Sequence, residues 1–125
     1  MSALFHAVVI EDESDLLELL REQLTRLGCR VSGAATGHGG VDLARTDPPD
    51  LVLVDMMLPD IDGREVVRRL RADPRTARCP VVLCSVLDPD DLTDLDADAV
   101  LPKPFGKADV ARIVQQFTTA DRRQP

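Results

Sequence analysis

Apolar runs alternate with segments of helical periodicity along the whole chain, and this alternation limits the choice of fold more than any other feature. Five runs predict strands, at residues 6–10, 29–34, 50–54, 80–85 and 98–101. Five segments predict helices, at residues 14–28, 39–47, 64–73, 88–95 and 107–117. Alternating strands and helices are typical of an α/β protein with a doubly wound parallel sheet. We expect a single five-stranded sheet of order 2-1-3-4-5 with right-handed crossovers.

Local signals set the expected ends and strengths of the helices. Ser14 is a candidate N-cap of the first helix and Gly28 a stop signal after it. The second helix is predicted to be weak, because a glycine inside a helix costs about 1 kcal/mol relative to alanine, and Gly37, Gly39 and Gly40 lie at or just before its start. The aspartate-rich segment between the last two strands leaves room only for a shortened fourth helix.

Length, cysteine content and charge bound the class of protein. The 125 residues predict one domain, with a core of about residues 6–117 and a polar tail at 118–125. No apolar run is long enough to span a membrane, and the start lacks the basic region of a signal peptide. Three cysteines without a CxxC pair predict buried, reduced thiols in a cytoplasmic protein. The net charge of −7 disfavours direct binding to nucleic acid.

Polar residues follow four of the five predicted strands, at the point where each strand ends. In chain order these residues are Glu11, Asp12, Glu13, Asp55, Ser85 and Lys103. Parallel strands bring their carboxyl ends to one edge of the sheet, where ligands bind in folds of this kind. We therefore expect at least three carboxylates, a hydroxyl and an ammonium group to meet there.

This set of groups indicates a phosphoryl-transfer site. Several carboxylates close together call for a cation, and oxygen ligands without histidine or thiolate favour Mg²⁺ first and Mn²⁺ second. The hydroxyl of Ser85 and the ammonium of Lys103 suit an anion. Asp55, between the two groups, is placed to act as the nucleophile that accepts a phosphoryl group.

Four separated segments resemble the receiver domain of two-component response regulators, a flavodoxin-like fold. They are "VVIEDES", "LVLVDMMLPDIDG", "VVLCS" and "LPKPF". Each is weak alone, but together they agree in order, strand position and chemistry. The resemblance implies a bacterial, cytoplasmic signalling phosphoacceptor that a histidine kinase or a histidine phosphotransfer protein phosphorylates with the help of Mg²⁺. It implies no enzyme activity on a separate substrate, only self-phosphorylation and loss of phosphate by water attack. A downstream protein of unknown identity would read the signal, without contact to nucleic acid or membrane.

The resemblance also implies a role for each residue at the strand ends. Asp55 would be the phosphoacceptor and Asp12 a direct Mg²⁺ ligand, while Glu11 would bind the metal through water. Met57 would contribute its backbone carbonyl to the metal. Ser85 would donate its hydroxyl to the phosphoryl group and Lys103 would pair with it. Pro104 would follow a cis peptide bond.

Three other functions share parts of this pattern. A haloacid-dehalogenase-type phosphatase needs a second aspartate where this chain has Met57. A flavin or nucleotide binder needs a glycine- or hydroxyl-rich loop after the first strand, where this chain is acidic. The remaining rival is a receiver-like interaction module that no longer switches by phosphorylation. Val100 favours it, because the family often has an aromatic residue there, and so does the short fourth helix.

The other polar residues have simpler explanations. Glu13 is expected to be an exposed acid at the start of the first helix, where negative charge is favourable. Asp60 and Asp62 are expected to be exposed loop acids. His6 and His38 are expected to be structural or solvent-facing, away from the pocket.

Overall fold

A computed structural model describes residues 4–122, with side chains described as far as residue 118. In this part of the chain, five strands and four α-helices alternate. The elements are β1 (Phe5–Ile10), α1 (Ser14–Arg26), β2 (Cys29–Ala34), α2 (Gly37–Thr46), β3 (Leu51–Asp55), α3 (Gly63–Ala72), β4 (Val81–Ser85), a 3₁₀ turn (Pro89–Leu92), β5 (Ala99–Pro102) and α4 (Lys107–Arg122). All strand pairs are parallel, in the order β2-β1-β3-β4-β5. The predicted fold class and strand order are confirmed.

The hydrophobic core lies in two layers, one on each face of the sheet. Val8 and Ile10 of β1 pack with α2 and α3, while Ala7 and Val9 of the same strand pack with α1 and α4. Successive residues of a strand point to opposite faces, so an uninterrupted apolar strand is needed where helices cover both sides. Every residue of β3 and β4 is buried. The three cysteines, Cys29, Cys79 and Cys84, are buried and unpaired as predicted.

The ends of α1 differ in how well the sequence predicts them. Gly28 ends the helix as expected, with a φ of +91° that non-glycine residues rarely adopt. The prediction of Ser14 as N-cap is wrong, because the capping position is Glu13 and its side chain makes no capping hydrogen bond. Its backbone N–H instead donates to the carboxylate of Glu11 at 3.1 Å. This bond orients the turn so that the helix begins one residue earlier.

The connection from β4 to β5 contains one 3₁₀ turn of 4 residues and no α-helix, which confirms the shortened fourth helix. Asp88 caps this turn by accepting the N–H of Asp90. Arg71 of α3 binds this connection through hydrogen bonds. Its guanidinium donates to the carbonyl of Asp96 at 2.9 Å and to the carboxylate of Asp98 at 2.9 Å. It also donates to the carbonyls of two residues before β4, which fixes three segments to one side chain.

The carboxyl-terminal helix is longer than predicted. α4 continues to Arg122, so residues 118–122 are helical and do not form a polar tail. Thr118 donates its hydroxyl to the Val114 carbonyl within this added part of the helix. The rest of the predicted tail, 123–125, lies outside the described residues. Among residues 4–122 there is no helix of the length and apolar character that crossing a membrane requires.

Candidate functional site

Three carboxylates meet at the carboxyl edge of the sheet. Asp55 is the last residue of β3, and Glu11 and Asp12 follow β1, its hydrogen-bonded neighbour. One oxygen of each carboxylate lies within 4.8 Å of the other two. Glu11 and Asp55 are buried, at 2% and 6% exposure, whereas Asp12 is exposed. The expected meeting of the three acids is therefore confirmed, with two of them withdrawn from water and one facing it.

Lys103 brings the only ammonium group found among these strand ends. Its Nζ lies 2.8 Å from Asp55 Oδ1 and 3.4 Å from Glu11 Oε1. Its backbone N–H donates to the Ser85 carbonyl at 2.8 Å, which continues the pairing of β4 with β5. The peptide bond from Lys103 to Pro104 is cis, as the resemblance implied. Lys103 is therefore held by its backbone on one strand and by its side chain on two others.

Ser85 ends β4 and is buried. Its neighbour Cys84 pairs with Asp55 in the sheet, and the Cys84 carbonyl accepts the N–H of Met56 at 3.0 Å. The Ser85 hydroxyl oxygen accepts the backbone N–H of Leu87 at 3.0 Å. This bond uses an acceptor lone pair, so the hydroxyl proton stays available for an incoming anion.

The charges of the site act on each other. Burial raises the pKa of Glu11, and the nearby charge of Asp55 adds to that increase, against the N–H of Glu13 and the ammonium of Lys103, which lower it. Burial lowers the pKa of Lys103, but its hydrogen bond to Asp55 and the two carboxylate charges outweigh burial, so the pKa is raised overall. The ammonium therefore stays protonated and offsets part of the repulsion between the acids.

The loop after β3 forms one wall of the site. Met56 bonds to β4 by its N–H and accepts the N–H of Gly63 at 2.8 Å, which closes the loop onto the start of α3. Asp62 caps α3 by accepting the N–H of Glu65 at 3.0 Å. Between these anchors the side chain of Met57 is 72% exposed. Met57 thus lies one residue after Met56, in the segment expected to supply a carbonyl to the metal.

Asp60 has a role that the sequence did not reveal. It is exposed as predicted, but its carboxylate accepts the N–H of Gly37 at 2.8 Å and of His38 at 2.9 Å. These are the first two residues of α2. The N-cap of the same helix is Thr36, whose hydroxyl accepts the N–H of Gly39. The glycines of this helix were the available signal. Because glycine is unfavourable inside a helix, its repeated use here indicates that another part of the chain approaches the helix closely.

The remaining polar residues lie as expected or away from the site. Glu13 is exposed at the start of α1. His6 is buried in β1 and its Nε2 lies 2.9 Å from the Ser32 hydroxyl on β2. His38 is exposed, with its Nδ1 3.1 Å from a guanidinium nitrogen of Arg69. Both histidines are structural or solvent-facing, and neither belongs to the acidic cluster found among the described residues.

The donor set fits a small, hard divalent cation. It consists of carboxylate oxygens, with one acid exposed to water and a backbone segment alongside. Mg²⁺ takes oxygen ligands and keeps several waters, so it is bound by one or two carboxylates rather than by a closed protein cage. An arrangement open on the side of Asp12 meets that requirement.

Comparison with known proteins gives one consistent result. The model of the response regulator receiver domain family matches residues 7–115. The DNA-binding dual master transcriptional regulator RpaA of Synechocystis is 36% identical over 120 residues, which cover 92% of this chain and 50% of RpaA. The response regulator ArlR of Staphylococcus haemolyticus is 32% identical, over 94% of this chain and 53% of ArlR. The chain thus spans about half the length of these two relatives.

Solved structures have the same fold. The receiver domain of the sensor histidine kinase PA1611 from Pseudomonas aeruginosa, which has a magnesium ion coordinated in its active site cleft, superposes with a TM-score of 0.86 at 28% identity. The match covers 94% of this chain and 99% of that one. The chemotaxis response regulator CheY4 of Vibrio cholerae superposes with a TM-score of 0.87 at 19% identity, over 92% of this chain and 99% of that chain. The second likeness concerns the fold alone.

Proposed function

This chain belongs to the response regulator receiver domain family, the phosphoacceptor domains of two-component signalling, and we propose that Asp55 is the residue that accepts the phosphoryl group. The observation that carries the proposal is the contact of Asp55 with Lys103 at 2.8 Å, within a cluster that also contains Glu11 and Asp12. A buried carboxylate at a strand end, with an ammonium beside it and other acids next to it, combines a nucleophile with charge compensation.

In the proposed reaction, a carboxylate oxygen of Asp55 attacks the phosphorus atom of a phosphohistidine on a partner. The new O–P bond forms as the N–P bond breaks, and the electron pair of the N–P bond stays on the imidazole nitrogen, which takes up a proton. Lys103 transfers no proton in this step. Its ammonium, already next to Asp55, pairs with the oxygens of the transferred group, and the Ser85 hydroxyl donates to another of them. Loss of the phosphoryl group to water returns the carboxylate.

We further propose that Asp12 and Asp55 would hold Mg²⁺ directly, Glu11 through water, and Met57 through its backbone carbonyl. The exposure of Asp12 supports its role as a direct ligand at the open side of the site. Glu11 is buried and engages Lys103 and the N–H of Glu13, which supports a more distant role. When bound, the cation supplies positive charge to the transferred oxygens.

The proposed partners follow from this chemistry. The phosphodonor is a histidine kinase or a histidine phosphotransfer protein, and a downstream protein binds according to the state of Asp55. We place the reaction in the cytoplasm, where buried thiols such as Cys84 stay reduced. Self-phosphorylation by small donors and loss of phosphate to water are the only chemistry proposed for the chain itself.

Intact mass spectrometry tests the proposal. The wild-type protein, incubated with acetyl phosphate and Mg²⁺, is expected to gain one phosphoryl group, and Asp55→Asn to gain none. Asp62→Asn is the matched control, because it makes the same change in the neighbouring loop, where an asparagine oxygen still caps α3. Absence of the adduct with acetyl phosphate and also with a phosphorylated histidine kinase would overturn the proposal and favour the interaction module that does not switch.

A further inference from the structure

We propose that Asp60 is a positioning residue, which ties the loop of residues 56–62 to the start of α2 and thereby sets the affinity of the site for Mg²⁺. This inference rests on the proposed function, because it concerns the loop that carries Met57. It assigns to an exposed acid outside the acidic cluster a measurable effect on that cluster. The effect acts through the backbone of the loop and requires no contact between Asp60 and the metal.

The first observation is the pair of hydrogen bonds that Asp60 makes across a separation of more than 20 residues. One carboxylate oxygen accepts the N–H of Gly37 at 2.8 Å, and the other accepts the N–H of His38 at 2.9 Å. The first N–H groups of a helix have no partner within the helix, and negative charge is favourable there. The bonds from His38 and Gly37 hold the pKa of Asp60 well below its usual range, so the carboxylate stays charged and keeps both contacts.

The second observation is close packing beside those bonds. A Cβ atom at Gly37 would lie 2.4 Å from Cγ1 of Ile61, the residue after Asp60. Ile61 therefore sits directly on the helix start, and only glycine leaves room for it. Loop and helix are joined by a polar contact and an apolar contact from adjacent residues, which fixes the position and the orientation of the loop.

The third observation is that α2 packs against β1, the strand directly before Glu11 and Asp12. A Cβ atom at Gly40 would lie 2.2 Å from Ile10 Cδ1, so only glycine at this position lets α2 pack this closely on the end of β1. Ile10 directly precedes Glu11. The connection therefore runs from the loop through Asp60 and α2 to β1, and joins the segment of Met57 to the segment of Glu11 by a second route besides the sheet.

This second route matters because Leu58 is the one residue between Met56 and Asp60 whose side chain packs against the core. The side chains of Met57 and Pro59, on either side of it, are exposed and add no burial to hold the loop. A ligand that orders a flexible loop loses binding free energy to the conformational entropy of that loop, so a loop already held in place binds the ligand more tightly. Mutation of residues that only orient the ligands of a metal typically weakens metal binding by about 10- to 100-fold.

Isothermal titration calorimetry with Mg²⁺ alone measures this effect; the chain has no Tyr or Trp for a fluorescence assay. We expect Asp60→Ala to raise the Kd by about tenfold. Asp60→Asn should fall between wild type and Asp60→Ala, because one amide oxygen can still accept one N–H. Asp62 carries the same charge in the same loop, but its carboxylate caps α3 rather than α2. Asp62→Ala therefore removes one screened charge and should change the Kd by no more than about twofold.

A substitution on the helix side gives an independent test. Gly37→Ala leaves the Asp60 carboxylate in place but forces Ile61 away from the helix, so it should raise the Kd for Mg²⁺ as Asp60→Ala does. Gly106→Ala is the matched control, because nothing lies within 4 Å of the added methyl group. Circular dichroism without metal establishes that each variant is folded at the titration temperature.

Two results would overturn the inference. One is an unchanged Kd in folded Asp60→Ala and Gly37→Ala. The other is an equal rise in Asp60→Ala, Asp60→Asn and Asp62→Ala, which is the signature of lost charge alone. Both are distinct from failure of the proposed function, which is the absence of a phosphoryl adduct on the wild-type protein.

Discussion

Lys103 Nζ lies 2.8 Å from Asp55 Oδ1, and the same ammonium reaches Glu11 Oε1 at 3.4 Å. One cation therefore joins the ends of β1, β3 and β5. The two carboxylates are nearly inaccessible to water, so their mutual repulsion is poorly screened. In the absence of metal, the ammonium of Lys103 offsets the repulsion between these two carboxylates. The proposed phosphoryl group would be attached to Asp55, next to the same ammonium.

Lys103→Ala is expected to destabilise the metal-free protein, because it leaves Glu11 and Asp55 buried without their cation. The cost should be about 1–2 kcal/mol, less than for a fully buried pair since the lysine is partly exposed. Mg²⁺ should recover more stability in the mutant than in wild type, because no ammonium then repels it. Urea unfolding with and without Mg²⁺ measures both effects. Lys107→Ala, at the other lysine of the chain, is the control. A smaller Mg²⁺ increment in Lys103→Ala than in wild type would contradict this account.

Arg71→Lys is expected to lower the free energy of unfolding by about 1–2 kcal/mol, because a single ammonium cannot replace the fork that donates to four acceptors at once, two of them in part-buried bonds. The guanidinium contacts the carbonyls of Ala77, Cys79 and Asp96 and the carboxylate of Asp98. Arg68→Lys serves as control, since Arg68 is exposed and, within the described residues, its ion pair is with Glu65 of its own helix. Equal unfolding free energies for the two variants, measured in urea, would show that the contacts of Arg71 carry no stability.

Phosphorylation is expected to order the loops around the site without repacking the far face of the domain. Val100 is a small side chain where the family often has an aromatic ring, and the segment before it contains only one 3₁₀ turn. Beryllofluoride with Mg²⁺ mimics the phosphoryl group, and amide hydrogen exchange measures the response. Added protection should be confined to residues 55–63 and 86–91. Large changes across residues 95–101 and 107–117 would show that the usual output face switches after all.

Stability is expected to fall below pH 6.5 because of His6. Burial lowers the pKa of this imidazole from 6.5, and the charge of Arg30 lowers it further. Between pH 6.5 and the lower native pKa, the unfolded chain binds a proton that the folded chain does not, so stability decreases as the pH falls through that interval. His6→Gln should flatten the dependence in urea unfolding from pH 7.5 to 5, and His38→Gln, at the exposed histidine, is the matched control. The reverse ranking of the two variants would disprove the assignment.

Much of the site could be predicted from the order of residues, because a parallel sheet places every strand end at one edge. Once β1, β3, β4 and β5 are recognised, Glu11, Asp55, Ser85 and Lys103 can meet only there. The short connection before β5 was predictable for a similar reason, since too few residues separate the strands. These features depend only on the local residue pattern and on the topology, and both can be predicted from the sequence.

Other features were decided only by the tertiary structure, because they depend on distances between elements that the sequence leaves far apart. Asp60 and Asp62 look alike in sequence, yet one bonds to α2, 23 residues earlier, and the other to its own helix. Ser14 has the right chemistry for an N-cap, but the buried carboxylate of Glu11 accepts the N–H of Glu13, and Glu13 takes the capping position, so that the helix begins at Ser14. Propensity and spacing describe what a residue can bond to. Packing decides which of those partners comes within 3 Å.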